Sequence, residues 1–101
     1  MRGILSQPNL SAGLVDFMHF MIIEKFRDTK LVRERFERCG RLLPEGVVYH
    51  ASWVDPVANR CFQVMEAPDQ EALKRWTSLW DDLIAFEIVP VLTSIEFWSD
   101  A

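Results

Sequence analysis

"MHFMIIEKF", residues Met18 to Phe26, is the stretch on which the architecture turns. Taken alternately, one face of an extended chain carries Met18, Phe20, Ile22, Glu24 and Phe26. The other carries His19, Met21, Ile23 and Lys25. Both faces are apolar over most of the run, which predicts a strand buried on two sides. Two questions follow: what covers both faces, and why a carboxylate ends one of them.

The next segment, "RDTKLVRERFERCG", predicts an amphipathic helix. Asp28 is its N-cap candidate and Gly40 its stop. Val32, Phe36 and Cys39 share a side, while charged residues of both signs fill the rest, the pattern of a solvated face rather than an anion site. "RLLPEG" is a connection broken by Pro44 and Gly46. "VVYHASWV" (47–54) and "RCFQVME" (60–66) read as a hairpin around the turn "DPVAN". "APDQEALKRWTSLWDDL" predicts a second helix capped by Asp69, with Leu73, Trp76, Trp80 and Leu83 on one side. "AFEIVPVLTSIEF" reads as a fourth strand, and Pro90 requires that strand to lie at an edge.

Strand, helix, strand, strand, helix, strand is the order of an α+β, ferredoxin-like βαββαβ domain. Its four-stranded antiparallel sheet carries two helices on one face, with the first and third strands central. Two helices cover one face only. The other face spans roughly 400 Å², within the range of apolar patches that are often functional. A second copy of the same sheet is the simplest cover, so a homodimer is expected.

Composition bounds the function. The chain has 101 residues, enough for one domain, and a formal net charge of -4, which argues against nucleic acid and against an anionic membrane surface as partners. Cys39 and Cys61 form no CxxC pair, and no apolar run is long enough for a signal core or a membrane span. A cytoplasmic location is expected. Residues 1–17 lack periodicity and predict a flexible extension ahead of a domain at 18–101.

The stretches "MHFMIIEKF", "GRLLPEGVVYHASWV", "RCFQVMEA", "RWTSLWDDL" and "FEIVPVLTS" resemble, in order from Met18 to about Ser94, a small bacterial family known as domain of unknown function 3303. Members belong to the dimeric α+β barrel superfamily, ferredoxin-like subunits paired through their sheets. That superfamily includes cofactor-free monooxygenases, muconolactone isomerase-like enzymes, haem-handling proteins and ligand-sensing modules. The resemblance implies the fold and the dimer, and leaves the chemistry open.

Candidate chemistry comes from a few residues. With a five-residue turn and no bulge, Trp53 faces Cys61, Ala51 faces Gln63 and Tyr49 faces Met65. Tyr49, Trp53, Gln63 and Met65 would then share one face as a ligand-lining set, or serve as core and interface. His50, Ser52, Phe62 and Val64 would share the other. Glu24, Glu66 and Glu87 are strand carboxylates; partly buried, any of them could carry protons, and Glu24, Glu87 and His50 are the catalytic candidates. The structural alternative pairs each carboxylate with Arg27, Arg41 or Arg60. Glu24 and Glu87 fall on adjacent strands and could share a cleft. His19 and His50 are the only histidines, and their differing parity argues against a metal site. There is no Gly-rich phosphate loop, GxSxG or HExxH, so no cofactor is expected. Two function classes stand: a dimer that binds a small apolar or aromatic molecule or simply assembles, and a cofactor-independent enzyme acting on such a molecule.

Overall fold

A computed structural model describes residues 17–99. The extension expected over residues 1–17 lies outside them except for Phe17. Seven elements follow in order: β1 (Met18–Phe26), α1 (Thr29–Cys39), β2 (Val48–Asp55), β3 (Arg60–Ala67), α2 (Gln70–Thr77), β4 (Ile84–Val91) and α3 (Ser94–Ser99). The strands form one antiparallel sheet in the order β2-β3-β1-β4. The first and third strands are central and β4, with Pro90, is an edge, as the order of elements required.

Caps define the helix ends. Asp28 accepts a hydrogen bond from the Leu31 amide at 3.1 Å, and Asp69 accepts one from Ala72 at 2.9 Å. Gly40 stops α1 with φ +69, and its N–H donates to Phe36 O. Gly46, at φ +89, occupies the third position of the turn that returns the Val47 N–H to Pro44 O, a place open to glycine.

The core lies between the sheet and α2. Phe20 and Ile22 from β1, Met65 from β3 and Leu73 from α2 are fully buried, joined by Trp76, Trp80 and Ile84. Full burial of each such side chain contributes about 1.5–3 kcal/mol. Helix α1 behaves differently: none of its residues is buried. It is tied down instead by Arg35, whose guanidinium bonds both Asp82 carboxylate oxygens at 2.8 Å and Leu79 O at 3.0 Å. The same guanidinium lies 5.5 Å from the Trp80 ring centre. Val32 alone of this helix packs against the core, half-buried, and a cavity lies beneath the helix.

Three sequence expectations are corrected. The hairpin turn is closed by an Asp55–Arg60 pair, so four residues loop rather than five. Asp55 bonds the Val57 and Ala58 amides, and Asn59 takes φ +54, a conformation asparagine tolerates. The register is therefore Ser52 with Gln63 and Trp53 with Phe62, not Ala51 with Gln63 and Trp53 with Cys61. A β-bulge between Tyr49 and Ala51 absorbs the slip, and Tyr49 regains Met65. Next, the second helix ends at Thr77, and Trp80 and Leu83 sit in the turns after it. Finally, the fourth strand stops at Val91. Thr93 and Glu96 form a reciprocal capping box: the Thr93 amide donates to Glu96 Oε1 at 2.8 Å and the Glu96 amide to Thr93 Oγ1 at 3.0 Å. "TSIE" starts a third helix, α3, where a continuing strand was expected.

Candidate functional site: a cleft beneath the first helix

Alternation along β1 places Phe20, Ile22 and Glu24 on the helix side of the sheet. Glu24 is 4% exposed and Gln63, on the neighbouring strand, 5%. Beneath α1 the sheet opens into a cavity of about 340 Å³. Its floor is Glu24, Cys61, Gln63 and Ser52; Val32 and Phe36 of α1 form one wall, and Trp76, Trp80 and Ile84 the other. Apolar walls around a few convergent polar groups are the usual build of a small-molecule site.

The polar floor is electrostatically unusual. Gln63 Nε2 donates to Glu24 Oε2. Burial pushes the Glu24 carboxyl up to about 7, against the lowering effects of the Gln63 hydrogen bond and the Arg41 charge. Gln63 Oε1 is buried and, among the described residues, has no hydrogen-bond partner. An unmade buried hydrogen bond costs about 1–3 kcal/mol, so this oxygen is an acceptor waiting for a donor. Cys61 is inert by comparison: burial and the neighbouring Glu24 push its thiol up to about 11, leaving no thiolate at neutral pH.

Arg41 lines the cavity as well and is held in place from three directions. Its backbone carbonyl accepts from both indoles, Trp76 Nε1 at 2.8 Å and Trp80 Nε1 at 3.1 Å. Its guanidinium lies 3.6 Å from the Tyr49 ring centre and 5.2 Å from that of Phe36. Gly40 and Leu42, both at positive φ, flank it. The two tryptophans thus fill the core, wall the cavity and hold the backbone of Arg41, whose charge acts on Glu24. As helical-period core residues they gave no sequence signal of the second and third roles.

Of the residues singled out from sequence, Glu24 and Gln63 are brought together in the cleft. Met65 is fully buried in the core, and Tyr49 is half-buried with its hydroxyl on Ser52 Oγ at 2.7 Å. Trp53 points to the opposite face, opposite Phe62, and is 61% exposed, a direct result of the corrected register. Glu87 pairs with Ile23 in the ladder and faces the open side, so it shares no cleft with Glu24. His50 also leaves the cleft and hydrogen-bonds Glu66. The expected arginine partners are corrected too. Arg27 donates to the backbone at Asp81 and Ile84, Arg60 pairs with Asp55 at 3.2 Å, and Arg41 stacks on rings. Among the described residues none of them forms an ion pair with Glu24, Glu66 or Glu87.

The described residues contain no helix long and apolar enough to cross a membrane. No curated protein and no solved structure matches the chain. A family model described as Domain of unknown function (DUF3303) matches residues 18–99, the whole βαββαβ unit with α3, and the chain belongs to that family.

Proposed function

We propose that the cleft beneath α1 binds a small, mostly apolar or aromatic molecule that carries a hydroxyl or enol, within a homodimer. The reading rests on one observation: the buried Gln63 Oε1, without a partner among the described residues, beside a desolvated carboxyl on the floor of an apolar cavity. A ligand hydroxyl donates to that oxygen while its ring packs against Trp76, Trp80 and Phe36. Support for the dimer comes from the open sheet face, where Met21, Ile23, Phe62, Val64 and Val89 are only partly covered. Trp98, Phe97 and Ile95 of α3 add more than half-exposed apolar surface.

Because both indoles line the cavity, their fluorescence reports on occupancy. Titration with phenols, quinols and aromatic β-dicarbonyls should give saturable quenching and a raised melting temperature for at least one class. Gln63→Leu should remove the response. No response to any class, in a protein whose melt is cooperative, would end the proposal.

A second reading has its own support. A carboxyl at about 7 is matched to proton transfer at neutral pH. In a cofactor-independent isomerisation, Glu24 takes a proton from carbon next to a carbonyl and returns it to another carbon. Deuterium uptake from D2O into a bound β-dicarbonyl, abolished by Glu24→Gln, distinguishes the enzyme from a binder; uptake equal to buffer alone assigns the cleft to binding.

A further inference from the structure

His50 sits at the β-bulge between Tyr49 and Ala51, with its side chain toward Glu66 on the open face. There His19 pairs in the ladder directly with Glu66. The three side chains converge: His50 Nε2 bonds Glu66 Oε2, and His19 Nε2 lies 3.6 Å from the same oxygen. One donor atom from each residue falls within 4.8 Å of the others. The two imidazole rings stack at 5.9 Å between centres, 23° from parallel.

We infer that His19, His50 and Glu66 form a binding site for a divalent transition-metal ion on the open sheet face. Two imidazoles and one carboxylate are a borderline donor set, suited to Zn²⁺, Co²⁺ or Ni²⁺ rather than to Mg²⁺ or Ca²⁺, which take oxygen. Ligands at about 2.0–2.1 Å around a tetrahedral ion stand about 3.3 Å apart. The 3.6 Å separation of His19 Nε2 from Glu66 Oε2 is close to that spacing. A hydrogen bond alone explains only half of the arrangement, since His19 is beyond hydrogen-bond range of the oxygen it faces. In the single subunit the side chains of His19 and Glu66 are 26% exposed and that of His50 42%. Three protein ligands leave at least one position for water or another group, the pattern of an open site.

The test uses the full chain, stripped of metal with chelator, and Co²⁺ or Zn²⁺ alone as the probe. Co²⁺ should bind one per chain with the visible absorption of a nitrogen–oxygen site and should be displaced by Zn²⁺. His19→Ala and His50→Ala should each weaken binding by at least about tenfold, while Cys39→Ser leaves it unchanged. Should a histidine variant misfold, wild-type NMR still decides. Substoichiometric Co²⁺ must shift or broaden the ring protons of both histidines, the only two in the chain. Absence of Co²⁺ binding at millimolar concentration, binding retained in the histidine variants, or only one perturbed ring would each overturn the site.

Discussion

The two faces of this sheet are built from alternate residues of the same strands, yet they differ in nearly every physical respect. Toward the helices, Phe20 and Ile22 are fully buried and Glu24 is 4% exposed. One residue along, His19, Met21 and Ile23 are only half-covered. The lesson is that position within a pleat, more than residue type, decides what a side chain does. A carboxylate on the closed face is forced toward its neutral form; Glu66 on the other gathers two imidazoles.

Adjacent isoleucines offer the sharpest way to break the contrast. Ile22→Ala removes a fully buried side chain from the central strand and should cost about 2–5 kcal/mol in denaturant unfolding. Ile23→Asp, next door, should leave the subunit folded but shift sedimentation from about twice the chain mass of 11.8 kDa to the monomer. If both substitutions destabilised the subunit equally, and neither changed its mass in solution, the two faces would not be the closed and open pair described.

Glu24→Gln comes next in size. The folded carboxyl holds a proton between about 4.5 and about 7 that the unfolded chain has released, so wild-type stability falls as pH rises through that window and is flat above it. The full loss is on the order of 3 kcal/mol. Glutamine carries no charge, so the variant should melt higher than wild type at pH 8 by a few kcal/mol at most, show no slope across the window, and bind the cleft ligand at least about tenfold more weakly. Equal melting at pH 8 would mean that Glu24 is solvated.

The smallest effect lies outside both faces. Thr93→Ala removes one half of the capping box of α3 and should cost about 1 kcal/mol locally. It should be read as faster amide exchange in residues 95–99 with an unchanged global melt. Slower exchange there would contradict the cap.

Much of the fold was legible in sequence because its signals are local. Asp28, Asp69 and Gly40 mark helix ends through single hydrogen bonds or a single φ value, and Pro90 marks an edge by lacking an N–H. The alternation in β1 put Glu24 on an apolar face with Phe20 and Ile22, and that was enough to make it a candidate. The register of the hairpin was not legible, since it depends on one residue in the turn. Asn59 in the left-handed region, with Asp55 bonding two turn amides, tightens the loop by a residue and reverses Trp53. The compensating bulge is invisible to a count of alternation, and so is the strand pairing that sets His19 against Glu66 and thereby beside His50. Reading "TSIE" as the end of a strand overlooked a capping signal that was present. Arg41, named from sequence only as a possible carboxylate partner, could not be placed in the cavity for a different reason: its position depends on two indoles donating to one carbonyl, contacts between residues 35 and 39 positions apart.

Burial on the cleft floor raises the Glu24 carboxyl beside Gln63 Oε1, an acceptor with no partner among the described residues. Carbon-13 NMR of the Glu24 side-chain carboxyl, followed through a pH titration of the intact chain, measures this directly. A midpoint near 7 is expected, moved by addition of a ligand that quenches the cleft tryptophans. A midpoint near the ordinary 4.5, unmoved by such a ligand, would contradict it.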